Sequence, residues 1–311
     1  MKQSRLVLRV FSAMAMLLTA AQCAIAQTSN PAGVPVSMVV TAQARHGSTM
    51  PGIGRQDVTV YQGRTSVKVT GWTPLQDDRA GAEFFVLLDD SRNTSRGSQL
   101  EDLRKFILAQ PASTKIGVAY MQMGGPQIVQ ALTSDHALAA NSVRPSLSNL
   151  ASSANPYISL SELMKNWSSG SDRREILMIS NGIDYESNDS LDDTYVDSAI
   201  AQAQRAGIVV YTISTSGRED SSSVFLNRAR NQLSKLADET GGASYYQESG
   251  AAVSIAPYLR DSAEQLNHQY LLTFLAQPDK KAGMQSVKLK TEVPNAKLVA
   301  AARVYVPAAP Q

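Results

Sequence analysis

A doubly wound α/β fold with a mostly parallel sheet, joined to an accessory β module made from both ends of the chain, is what this sequence predicts. Three observations lead there. Largely apolar runs, Phe84–Leu88, Ile116–Met121, Glu175–Ile179 and Ile208–Ile213, are short and end abruptly. Runs of this kind are strands covered on both faces. Amphipathic stretches of helical period separate them, and repeated strand–helix alternation marks a mostly parallel sheet between helix layers. The segments at both ends instead alternate polar and apolar residues, as strands with one wet face do.

The first residues belong to export, not to the fold. Lys2, Arg5 and Arg9 precede the apolar run Val10–Ala21, and Ala24-Ile25-Ala26 before Gln27 makes a small-x-small cleavage site. Together they predict a secretory signal peptide over residues 1–26 and a secreted or periplasmic mature protein. The apolar run falls short of the ~20 residues that a membrane span needs. Cys23 is the sole cysteine, and Gln22 before it is the wrong size for lipoprotein processing. Cleavage after Ala26 therefore leaves a mature chain without disulfides, which must hold together on its core alone.

Past a polar, small-residue stretch, residues 34–78 form a β segment. It contains the strand Ser37–Ala42 and a hairpin whose arms, Asp57–Tyr61 and Ser66–Trp72, meet at Gln62-Gly63-Arg64. Residues 80–252 carry the α/β alternation. Phe84–Leu88 is followed by a helix over Ser98–Ala109 that closes before Pro111. Ile116–Met121 and Gln127–Leu132 form a hairpin across Gly124-Gly125-Pro126. Helices are expected over Ser134–Asn149, interrupted near Pro145, and over Ser159–Trp167. After Glu175–Ile179 come a helix over Asp192–Ala206 capped by Gly207 and the strand Ile208–Ile213. A helix over Val224–Thr240 stops at Gly241-Gly242, and Ser244–Tyr246 is a short edge strand. Residues 253–306 add a helix to Asn267 and three strands, Tyr270–Leu275, Ser286–Lys290 and Lys297–Val306. A lone hairpin is marginal in water, so these strands are expected to pack with the N-terminal ones.

Several function classes fall away. With 29 basic against 27 acidic residues, and no basic stripe interleaved with aromatics, the chain has no nucleic-acid signature. His46, His136 and His268 are scattered outside any metal-ligand spacing. There is no G-x-S-x-G elbow with a histidine partner, and Gly52-Ile53-Gly54 is too short for a dinucleotide fingerprint. Asp192-Asp193 stands at a helix start, where the dipole favours carboxylates, and is expected to cap. Asn93, Asn166 and Asn188 fit the glycosylation sequon, which a bacterial origin would make irrelevant.

What remains is the point where the first buried strand ends. Phe84–Leu88 runs into Asp89-Asp90-Ser91-Arg92-Asn93, which places a carboxylate, a hydroxyl and an amide at alternate positions. Ligands gather at the carboxyl edge of such sheets, and these oxygens suit Mg²⁺, Mn²⁺ or Ca²⁺.

Val86–Asn93, Ile176–Gly182 and Leu236–Gly242 stand in the order of a von Willebrand factor A domain. With Asp57–Gly63 before them and Gln269–Phe274 after, the chain resembles the secreted "VWFA-related" proteins common in Acidobacteria over Val36–Val306. That resemblance implies a Rossmann-like domain with a metal-ion-dependent adhesion site, built from a D-x-S-x-S loop, a second-loop Thr and a third-loop Asp. Asp89 and Ser91 match, whereas Asn93 replaces the second Ser and Asn181 the third-loop Asp. Spacing before Leu160–Leu163 puts Ile158 at the second-loop Thr, with Ser159 and Ser161 nearby. The site has lost one formal charge and a hydroxyl, and Arg92 sets a cation beside it, all of which weaken divalent-ion affinity. Three states stay open: a divalent site, a vestigial metal-free loop, and Arg92 or another side-chain cation paired with Asp89. Asp90, Asp184, Glu186 and Asp189 could restore charge but read as solvated loop residues.

The expectation is a non-catalytic module that binds another protein at this edge. Asp89, Ser91, Asn93 and Asn181 form its metal-type set, and Asp89, Arg92, Ser159 and Asn181 contact the partner. The alternative is an envelope scaffold protein whose A-type domain binds no metal.

Overall fold

In the computed structural model the described residues are 33–47, 49–90, 97–122, 125–146, 155–167, 173–183, 193–215, 223–247 and 254–309. The expected signal peptide lies outside them. Among them, no helix is long and apolar enough to cross a membrane.

The buried runs form one six-stranded sheet. Its strands are β5 (Ala82–Asp89), β6 (Thr114–Gln122), β7 (Gly125–Thr133), β8 (Arg173–Ser180), β9 (Ile208–Ser214) and β10 (Ser244–Tyr246), in the order β10-β9-β8-β5-β6-β7. All neighbours are parallel except the β6–β7 hairpin. The period of two divides each strand between two cores. Phe84, Val86, Leu88, Leu177 and Ile179 face α1 (Gly97–Leu108), α2 (His136–Asn141) and α6 (Ala256–Asn267). Phe85, Leu87, Ile176 and Met178 face α3 (Pro156–Lys165), α4 (Thr194–Ala206) and α5 (Ser223–Thr240). This is the expected α/β fold, with helices on both faces of the sheet.

The N- and C-terminal strands form two four-stranded sheets that interleave both ends of the chain. β1 (Val34–Ala44), β4 (Val69–Pro74), β11 (Gln269–Ala276) and β13 (Ala296–Ala300) are ordered β13-β1-β11-β4. β2 (Val58–Gln62), β3 (Thr65–Val67), β12 (Gly283–Thr291) and β14 (Arg303–Val306) are ordered β14-β12-β2-β3. The two sheets share one core in which Val40, Val60, Phe274 and Val306 are fully buried. Two expected strands turn corners here. The second hairpin arm splits at Lys68, so that β3 pairs with β2 and β4 crosses to β11. The last strand splits at Ala301-Ala302 into β13 beside β1 and β14 beside β12. A strand that changes sheets lets both faces bury apolar residues without an extra loop.

Helix limits differ from expectation where caps decide. Asp135 accepts the Leu138 N–H at 3.0 Å and starts α2, which ends at Asn141, well short of Pro145. Asn155 caps α3, whose first residue, Pro156, lies three positions ahead of the expected Ser159. Gly207 ends α4 at φ 65°, the left-handed cap foreseen for it. Asp193 precedes α4 without a side-chain cap; its carboxylate instead takes the Gln232 amide at 2.8 Å, with Arg228 and Lys235 nearby. That hydrogen bond and the two cations hold its pKa below the ordinary value. After α5, Gly242 passes so close to β9 that a Cβ there would lie 2.1 Å from the Val210 carbonyl oxygen.

One polar cluster ties the module to the α/β layers. Arg173, at the start of β8, donates to the carbonyls of Ala80 (3.1 Å) and Leu266 (3.0 Å) and to the Gln269 side-chain oxygen. Gln269 in turn donates to the Tyr211 hydroxyl at 3.1 Å. Glu175 is fully buried beside them, 3.8 Å from the Arg173 Nε, and its oxygens have no hydrogen bond of normal geometry among the described residues. Burial pushes its carboxyl above the ordinary 4.5, with Arg173 and Gln269 pulling it partly back.

Two outcomes follow. A carboxyl with a raised folded-state pKa binds its proton more tightly folded than unfolded, so its stabilisation is present below the ordinary value and lost as pH rises. Urea unfolding of wild type and Glu175→Gln should therefore show the difference moving in the variant's favour as pH climbs above about 4.5. Gly242→Ala forces backbone against backbone and should lower stability by about 1–3 kcal/mol, read from the urea midpoint.

Candidate functional site

Strand β5 is apolar until its last residue, so its polar groups collect where it leaves the sheet. Asp89 closes the strand at 7% exposure, and its Oδ2 accepts the Ser180 hydroxyl at 3.0 Å. Ser180, the last residue of β8, uses the same oxygen to accept the Gly182 N–H at 3.0 Å. Gly182 adopts φ 73°, and its carbonyl accepts the Tyr157 hydroxyl at 3.3 Å. Asn181, 3% exposed, turns its Oδ1 inward to the Ile183 N–H at 2.9 Å. The third-loop position thus folds back on its own backbone, as Asx turns do.

The structure puts Asn155, not Ile158, at the head of the second loop's helix. Its Oδ1 accepts two N–H groups, from Tyr157 at 2.9 Å and Ile158 at 3.0 Å. Its Nδ2 is buried without a hydrogen-bond partner among the described residues, as is the hydroxyl of Thr215 just past β9. Ser159 sits inside α3 at 1% exposure. The spacing before Leu160–Leu163 pointed instead to Ile158, which lies within the first turn of α3. The Asn155-Pro156 pair, a cap residue before a first-turn proline, is the signal that would have found the true start.

Asp90 has a different role from the one expected. It is 2% exposed and is clasped by both terminal nitrogens of Arg144, at 3.1 and 3.2 Å, with Gln122 donating to it at 3.2 Å. The Arg144 guanidinium lies 4.0 Å from the centre of the Tyr120 ring. Burial raises the Tyr120 hydroxyl above its ordinary pKa, and it donates to the Arg144 carbonyl at 2.8 Å. Ser146 adds a hydroxyl to the Asp90 carbonyl. Among the described residues, a side-chain cation at this edge is Arg144, and it holds Asp90. Ser91, Arg92 and Asn93 lie outside the described residues, as do Asp184, Glu186 and Asp189.

Hard divalent cations require oxygen donors. Among the described residues no group of three or more His, Cys, Asp or Glu could hold a metal ion. The two asparagines turn their oxygens to backbone N–H groups. The asparagine oxygens among the described residues are thus directed away from the divalent ion that the A-domain resemblance implies, while Ser91 and Asn93 lie outside the described residues.

In sequence, no family model and no curated protein matches this chain. Among solved structures, similar ones are VWA-domain proteins. An aerotolerance-related membrane protein from Bacteroides fragilis NCTC 9343 is 16% identical, with a TM-score of 0.43, over 60% of this chain and 99% of that one. The VWA domain of SpRpn10 is 13% identical, with a TM-score of 0.40, over 60% and 97%. The ArnB paralog VWA2 from Sulfolobus acidocaldarius is 12% identical, with a TM-score of 0.41, over 88% and 76%.

Removing one partner of a buried ion pair leaves a charge that the interior cannot solvate. Arg144→Ala should accordingly destabilise by about 3 kcal/mol, and Arg144→Lys, which keeps the charge but not the two-pronged geometry, by less. Urea unfolding of the three proteins measures both.

Proposed function

We propose that the protein is an exported, non-catalytic module that binds another protein at the carboxyl edge of its six-stranded sheet. The observation that carries this is the gathering of Asp89, Asp90, Asn155, Ser180, Asn181 and Thr215 at one end of otherwise apolar strands. Sheets of this topology place their ligands at that end, outside the strand termini. Asp89 and Asn181 stand at that edge among the described residues and are the positions the reading rests on. The degenerate adhesion motif fits a surface that keeps the family's location while changing its chemistry.

A second possibility is a structural envelope protein that binds through the β module. It is favoured by β12, along which Glu-free positions of alternating exposure, such as Lys288 and Lys290, face outward. Co-purification from the native exported fraction separates the two. Recovery with Asp89→Ala/Asn181→Ala should fall at least about tenfold, a loss of ~1.4 kcal/mol in binding. Unchanged recovery, with an unchanged unfolding midpoint, would favour the scaffold.

A further inference from the structure

We infer that the carboxyl edge works without a divalent ion, because its two asparagines are turned the wrong way for one. A backbone N–H can only donate, so each asparagine's inward atom must be its oxygen. Asn155 spends that oxygen on Tyr157 and Ile158, and Asn181 spends its own on Ile183. What each turns away from its own backbone is an amide nitrogen, a donor with no affinity for a cation. At Asn155 this nitrogen is buried with no hydrogen-bond partner among the described residues, so the position calls for an acceptor. At two of the three loops that would share the ion, the asparagine oxygen is therefore already given to backbone N–H groups. Asp89 is committed to the Ser180 hydroxyl, and Ser180 to Asp89 and the Gly182 N–H. The neighbouring negative charge, Asp90, is already met by Arg144. This edge recognises its partner through direct hydrogen bonds, and chelators leave it intact.

The inference deepens the partner-binding function above and rests on it for its biological meaning, but ion binding can be read separately. Asn155→Asp and Asn181→Asp exchange only the amide nitrogens for oxygens and keep the inward acceptors, and Asp caps a helix as well as Asn does. The mature full-length protein and the Asn155→Asp/Asn181→Asp variant are titrated with MnCl₂ by calorimetry. The wild type should show no binding up to about 1 mM, and the variant should bind at least about tenfold more tightly, since ligand charge sets affinity. Micromolar Mn²⁺ binding by wild type that disappears in Asp89→Ala overturns the inference. So does a variant that keeps its unfolding midpoint and gains no affinity. In parallel, partner capture with EDTA should equal capture with Mn²⁺. Loss of capture in EDTA overturns ion independence, whereas capture that ignores Asp89→Ala/Asn181→Ala in both buffers defeats the binding surface and not the ion result.

Discussion

Burying β5 on both faces leaves it no place for a polar side chain except its two ends, and much of the molecule is arranged around that constraint. At the entry end Glu83 accepts the Trp167 indole N–H at 2.8 Å and lies 3.8 Å from Lys115. At the exit end two consecutive carboxylates leave the sheet together. Asp89 is tied to β8 through Ser180, and Asp90 to the chain beyond α2 through Arg144. A carboxylate this deep costs several kcal/mol unless hydrogen-bonded or paired. The partners of the strand end are therefore fixed before any question of function arises.

The same economy explains why the candidate site looks inward. Ser180, Asn181 and Asn155 all spend their oxygens on backbone N–H groups at the starts of turns and helices. Those groups would otherwise be buried and unpaired. An edge built this way is a preorganised surface whose polar atoms already have fixed orientations. Under the proposed partner-binding function, specificity would come from where the remaining donors point, and the cost of ordering them would be met on folding, not on binding.

Much of this was legible in the chain. Phe84–Leu88, Ile176–Ile179 and Ile208–Ile213 announce buried strands because period and composition are local properties. Gly207 and Gly241 announce helix ends because the left-handed conformation selects glycine. The corners at Lys68 and Ala301-Ala302 were not legible, since a strand that changes sheets keeps its alternation throughout. Nor was Arg144, which reaches Asp90 across 54 positions, a pairing that no local spacing encodes. Asn155 was missed for a narrower reason: counting back from the apolar helix face does not reveal how many residues precede it in the first turn.

The interleaving of the two chain ends has a consequence for how the protein comes into being. β1 lies between β11 and β13, so its hydrogen-bonding partners begin at His268. β1 is thus exposed on both edges until β11 and β13 have been made. Contacts so distant in sequence close late, and an unpaired strand is open to mispairing in the interval. The arrangement also makes completion a condition of closure: a chain cut short before Ala296 leaves β1 with an open edge, and so carries a visible mark of being unfinished.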